Sequence, residues 1–144
     1  TSDIIVGFPG ETEADFEATR EVMRQVSFDN TYIFKYSHRP GTPAAHMRDD
    51  VPPEIKAERN RILLEDQDRI GLQRNQAWVG REVDVLVEGP SARNPARWAG
   101  RSRQNKIVIF TPWEGLQPGR PVQVMTERAK PQTLYGRVMP SRRE

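Results

Sequence analysis

Cysteine is absent from this 144-residue chain. Its absence excludes disulfides, thiolate metal sites and cysteine nucleophiles together. Histidine occurs only at His38 and His46, too few imidazoles for a zinc site of the chain's own. Iron–sulfur chemistry would need ligands from outside these residues. Apolar residues make up only 35%, so any core is thin for the length. No run approaches the ~18 apolar residues of a membrane span. No basic region followed by an apolar stretch marks a signal peptide. The first residue is Thr1 rather than Met, and a core-like strand starts within two residues of it. The chain therefore reads as a piece of a longer protein.

What is present is charge, 29% of residues, unevenly placed. Residues 1–78 carry ten Lys/Arg against fourteen Asp/Glu, and residues 79–144 carry twelve against six. An acidic half followed by a basic half predicts two modules with different partners, the second suited to a polyanion. An ordinary surface with uneven charge accounts for the same asymmetry.

The first module reads as α/β. Asp3 to Phe8 is a short apolar run of the kind buried on both faces in a parallel sheet. Pro9-Gly10 ends it. Thr12 suits an N-cap, with Asp15 three residues on as a capping-box variant. Phe16, Thr19, Met23 and Val26 then lie at helical spacing, predicting a helix over 12–26. Thr31 to Tyr36 is β-branched and aromatic, a second strand. This βαβ unit predicts two parallel strands with a right-handed crossover. Two strands make no stable sheet alone, so further strands are expected N-terminal to Thr1. Pro52-Pro53 opens a long helix to about Gln76. Ile55, Ile62 and Ile70, with Leu63 and Leu64, mark its expected apolar stripe. Gly71 offers a place for a kink.

From Val79 the pattern changes to period two. Val83, Val85 and Val87 alternate with Glu82, Asp84 and Leu86. Strands are also predicted at Trp98–Arg103, Lys106–Phe110, Arg120–Thr126 and Thr133–Met139, with a polar loop over 90–97. Five short strands predict a small antiparallel β-barrel of the OB type. The fold class is therefore α/β plus all-β, with domains at 1–75 and 76–144.

Three segments are candidates for chemistry. Gly7 to Gly10 is a glycine-bearing turn at the carboxyl end of a parallel strand, where α/β folds bind ligands. It reads equally as a tight strand-to-helix turn. His38 and Arg39 follow the second strand, either near a ligand or in a solvated loop. In the basic module, Arg101 and Arg103 alternate and so face one side. With Arg97 and Lys106 they form a candidate phosphate patch. Trp98 is a candidate base-stacking residue, and Asn105 suits a turn with positive φ. A polar outer face with Trp98 in the core is the other reading.

These residues also resemble a known family. Asp3-Ile-Ile-Val-Gly-Phe-Pro-Gly-Glu-Thr12, Tyr36-Ser-His-Arg-Pro-Gly-Thr-Pro-Ala-Ala45 and Val51-Pro-Pro-Glu54 with its long helix are similar, in the same order, to the radical S-adenosylmethionine methylthiotransferases. The C-terminal module resembles a TRAM domain, a small β-barrel associated with RNA binding. Arg39-Pro40-Gly41 and Gly100-Arg-Ser-Arg-Gln-Asn-Lys106 most resemble the tRNA-modifying branch, the MiaB-type 2-methylthio-N6-(dimethylallyl)adenosine synthases. His38 stands where that family has Pro.

The resemblance implies the end of a partial radical S-adenosylmethionine (β/α) barrel followed by a TRAM barrel. It implies a cytoplasmic enzyme with S-adenosyl-L-methionine and two 4Fe–4S clusters, acting on tRNA with an external electron donor. The cluster ligands lie outside this chain, so the chain alone is expected to be inactive. Val6, Gly7, Phe8, Pro9, Tyr36 and Ser37 are implied around S-adenosylmethionine. Arg97, Trp98, Arg101, Arg103, Asn105 and Lys106 are the RNA candidates. Two other functions stay open: the sister branch that modifies a ribosomal protein, and a non-catalytic RNA-binding module.

Overall fold

A computed structural model describes residues 1–140 and divides the chain into two compact units, with the boundary between Gly71 and Leu72. The first unit begins with β1 (Ser2–Val6), α1 (Glu13–Val26) and β2 (Thr31–Lys35). β1 and β2 pair in parallel, Ser2 opposite Thr31 through Val6 opposite Lys35, as the βαβ pattern predicts. Thr12 caps α1 with a complete capping box. The Asp15 N–H donates to Thr12 Oγ1 at 3.2 Å, and the Thr12 N–H donates to Asp15 Oδ2 at 2.9 Å. Ser27 ends the helix in the left-handed conformation, φ 51°.

One sheet face is covered. Val6, Phe16, Met23 and Leu63 form a small core, with Ile4, Ile33, Ile62 and Ile70 against it. The other face carries Ile5, Tyr32 and Phe34, each more than half exposed.

α2 (Pro53–Gln76) departs from the expected apolar stripe and runs unbroken through Gly71. Ile55 and Leu64 are exposed, whereas Lys56, Arg59, Leu63, Asp66 and Gln67 are buried. Every charged member of this stripe meets an opposite charge from elsewhere in the unit. Lys56 Nζ lies 2.6 Å from Asp49, and Arg59 Nη1 lies 2.7 Å from Glu11 Oε1. Arg20 Nε lies 2.7 Å from Asp66 Oδ2. Gln67 accepts from Thr31 Oγ1 at 2.9 Å and donates to the Phe28 carbonyl at 3.1 Å. A hydropathy pattern cannot register a face whose charges are neutralised by residues 7–48 positions away. Burial alone would raise the Asp66 pKa. Hydrogen bonds from Arg20, with the charges of Arg20, Arg69 and Arg24, outweigh it and hold Asp66 below its ordinary value.

The second unit is a closed barrel of β3 (Glu82–Ser91), β4 (Asn94–Ser102), β5 (Ile107–Phe110), β6 (Pro121–Lys130) and β7 (Thr133–Val138), in the order β3-β4-β5-β7-β6. Its core is Val83, Val85, Val87, Val108, Phe110, Leu116, Val122, Val124 and Leu134. Two sequence expectations need correction. The barrel is not wholly antiparallel, because β5 and β7 pair in parallel, Ile107 opposite Thr133. A ring of five strands cannot alternate direction at every pair, so closure requires one parallel pair. Residues 90–97 are not a loop either. β3 and β4 continue as a hairpin arm, Ser91 opposite Asn94, around a turn at Ala92-Arg93. Residues 92–97 of the arm are exposed, so its strands lack the alternation that reveals a half-buried strand.

Two barrel glycines sit where strands approach closely. A Cβ on Gly100 would meet the Leu86 carbonyl oxygen, and one on Gly136 would meet that of Met125. The tail of α2 is tied to this unit by Asn75, which is buried. Asn75 Nδ2 donates to the carbonyls of Lys130 at 2.8 Å and Pro131 at 3.1 Å, and Oδ1 accepts from Lys106 Nζ at 2.8 Å.

Candidate functional site

The first candidate site is at the carboxyl ends of β1 and β2. Gly7 and Gly10 both adopt positive φ, 70° and 83°, so the chain turns sharply out of β1. The turn is held from within. The Gly7 N–H donates to Glu11 Oε1 at 2.9 Å, and the same oxygen accepts from buried Arg59. The Gly10 N–H donates to Asp50 Oδ1 at 2.7 Å. The space a Gly7 Cβ would need is filled by the Lys56 side chain. These two N–H groups are therefore occupied, and the turn works as a framework rather than an anion nest.

Val6, Gly7 and Pro9 are buried, and the Val6 side chain belongs to the core. Phe8, Tyr36 and Ser37 remain accessible. The Tyr36 N–H donates to the Val6 carbonyl at 2.8 Å, extending the pairing just past β2. The Phe8 and Tyr36 rings meet edge to face with centroids 5.4 Å apart, and Lys56 Nζ lies 5.1 Å from the Tyr36 centroid. The Tyr36 hydroxyl donates to the Ala44 carbonyl at 3.2 Å. The result is a fixed aromatic corner at a parallel sheet end. His38, Arg39 and His46 lie exposed beyond it.

The second candidate site is on the barrel, and the structure separates the six RNA candidates. Arg97 lies exposed on the β4 arm, with no ion pair among the described residues. Trp98 is half-buried opposite Phe110 and packs against the barrel core. Arg101 and Arg103 both reach the outer face of β3. Arg101 Nε is 3.4 Å from Glu88, and Arg103 Nε is 2.9 Å from Asp84 Oδ2. Arg103 does so from the turn beyond β4, where Asn105 takes φ 59°. Lys106 points elsewhere, to Asn75.

A groove that sequence reasoning missed opens beside them. It has a volume of about 1080 Å³ and is lined by Trp113, Arg103, Arg120, Arg137, Asp84 and Gln123, among others. Trp113 stands in Pro112-Trp113-Glu114-Gly115. A large aromatic inside a turn-rich segment, outside any strand pattern, was the available signal.

Residues 76–139 match the TRAM domain family. A curated protein of Moorella thermoacetica, tRNA-2-methylthio-N(6)-dimethylallyladenosine synthase, is 50% identical over 96% of this chain. Proteins of the same name from Akkermansia muciniphila and Mycolicibacterium smegmatis are 47% and 45% identical over 99% and 93% of it. Over nearly its whole length the chain is thus similar to synthases of this name. It spans 27–31% of the length of these three relatives. The barrel falls within the residues that match the TRAM domain, and the aromatic corner lies in the part of the chain preceding them. Among the described residues no helix is long and apolar enough to cross a membrane.

Proposed function

We propose that the chain is the C-terminal segment of a radical S-adenosylmethionine methylthiotransferase that modifies N6-isopentenyladenosine next to the tRNA anticodon. The observation that carries this reading is the 45–50% identity, over 93–99% of the chain, to synthases named for that product. Residues 1–75 would end the catalytic domain and residues 76–144 would hold tRNA. The exposed Ile5, Tyr32 and Phe34 support a partial (β/α) barrel, because such a face is stable when further strands close over it. A tRNA substrate makes the cytoplasm the site of reaction.

The aromatic corner fits S-adenosylmethionine, since Phe8 and Tyr36 present apolar ring surface at a sheet end whose backbone is already fixed. Phe8, Tyr36 and Ser37 would hold the cofactor, and Glu11, Arg59 and Asp50 would keep the turn in place. When bound, S-adenosylmethionine supplies radical chemistry and a methyl group. The chain does not fit an iron–sulfur cluster, because it offers no thiolate. Both clusters would be ligated, and reduced by an electron donor, through parts of the protein outside residues 1–144.

The test uses the full-length protein with reconstituted clusters, S-adenosylmethionine and tRNA carrying isopentenyladenosine. Mass spectrometry of the digested tRNA should find the 2-methylthio nucleoside. Unmodified tRNA beside a methylthiolated ribosomal protein would overturn the proposal.

A further inference from the structure

We propose that the groove beside the β5–β6 loop holds an unpaired nucleotide of RNA, its base on the indole of Trp113 and its phosphates on Arg120, Arg103 and Arg137. This rests on the reading of residues 76–144 as the RNA-holding part, and names the place and the form of RNA it takes. Trp113 is 46% exposed, although Trp98 and Trp78 pack against the barrel core. Its exposure is not fraying. Leu116 is buried in the core, and its N–H donates to the Trp113 carbonyl at 3.2 Å. The Gly119 N–H donates to the Val87 carbonyl at 2.8 Å and pins the far end of the loop. An indole held outward by a fixed loop loses little freedom on binding.

The groove's charge fits a polyanion. Three arginines line it against one carboxylate, Asp84. Arg120 has no ion pair among the described residues. Arg103 pairs with Asp84 and Arg137 with Glu127 at 3.0 Å, each at an exposed position. Exposed pairs contribute little to stability, so a phosphate displaces such a carboxylate at little cost. Stacking on Trp113 needs a base free of its own neighbours. In an RNA duplex the bases are stacked within the helix, and the major groove is too narrow for side chains to read. An indole amid arginines is the composition of single-strand sites. At about 1080 Å³ the groove is slightly larger than small-molecule sites, roughly 300–1,000 Å³, and leaves room for flanking phosphates.

The 144-residue chain is titrated with a single-stranded oligouridylate, with an RNA duplex of equal length and with a tRNA transcript, over a salt series. Trp113→Ala should weaken oligouridylate binding by roughly 5- to 150-fold without changing the salt slope, and should leave duplex binding unchanged. Trp113→Phe should keep most of the affinity. Arg120→Ala should reduce the slope of log K against log salt by roughly 0.7 on the single strand. Unchanged oligouridylate affinity in Trp113→Ala with a native melting curve overturns the groove proposal. So does an equal loss on strand and duplex. If wild type and Trp113→Ala both still bind tRNA equally well, the groove proposal falls while the tRNA reading stands. Failure of the wild-type chain to bind tRNA overturns the reading itself.

Discussion

Replacing Asn75 by Ala removes three hydrogen bonds from a buried position: two to the carbonyls of Lys130 and Pro131, and one from the Lys106 ammonium. A neutral hydrogen bond contributes ~0.5–1.5 kcal/mol and one to a charged group ~1.5–3 kcal/mol. Two of the first kind and one of the second come to about 4 kcal/mol. A unit of this size has a total stability on the order of 5 kcal/mol, so most of it is at stake. The assay is urea unfolding of the whole chain followed by tryptophan emission. All three tryptophans lie after residue 77, so the signal reports on the barrel and not on residues 1–71. Lys106→Met takes away the charged bond and leaves the two to the carbonyls, and should cost ~1.5–3 kcal/mol. It also tests the sequence-based assignment of Lys106 to RNA. A lysine committed to Asn75 leaves the salt slope of tRNA binding unchanged, whereas a lysine bound to a phosphate would, once replaced, reduce it by roughly 0.7–0.9. A shift under ~1 kcal/mol for Asn75→Ala would refute the reasoning, since it would mean the three bonds contribute less than a single average one.

Three further outcomes are expected. Gly136→Ala puts a Cβ against the Met125 carbonyl and 2.7 Å from Val124 Cγ1, so the barrel should lose roughly 1–3 kcal/mol; an unchanged melting midpoint would contradict the close approach. Thr126 is 1% exposed and its hydroxyl has no partner among the described residues, and Thr126→Val keeps its shape and its backbone bonds. The variant should gain about 1 kcal/mol, raising Tm by roughly 4–8 °C, and a lower Tm would count against it. The Asp66 pKa is depressed from its ordinary 3.8, so its stabilising contribution is complete above about pH 4 and is lost as pH falls through the folded value. Acid titration of the helical circular-dichroism signal should show this loss, and Asp66→Asn should shallow it; an identical profile in the variant would remove Asp66 as the cause.

The βαβ unit was legible because each of its steps is written locally. Thr12 and Asp15 sit three apart as a capping box, and Phe16 and Met23 share one helical face. The strands of the barrel were legible where one face is buried, as at Val83, Val85 and Val87. They were illegible in the β3–β4 arm, where no burial imposes alternation. The aromatic corner was half legible. The glycine turn and Tyr36 stand out by composition, but Lys56 behind Gly7 and Arg59 behind Glu11 come from 49 and 48 positions further along the chain.

By itself the sequence determined what depends on neighbours along the chain. It set the helix bounds, the parallel βαβ pair, the five barrel strands, the lack of any thiolate ligand and the excess of cations after residue 78. It also carried the resemblance to the methylthiotransferases, through ordered motifs in both halves. Tertiary structure decided what depends on distant partners. It buried a charged face of α2 by supplying a counter-charge to each member. It made β5 and β7 parallel because five strands close the ring. It drew Lys106 onto Asn75 and set Trp113 among arginines from positions 103, 120 and 137. Local patterning encodes which side of an element is apolar. Only packing determines which polar groups meet, because a charge finds its partner through space and not through spacing.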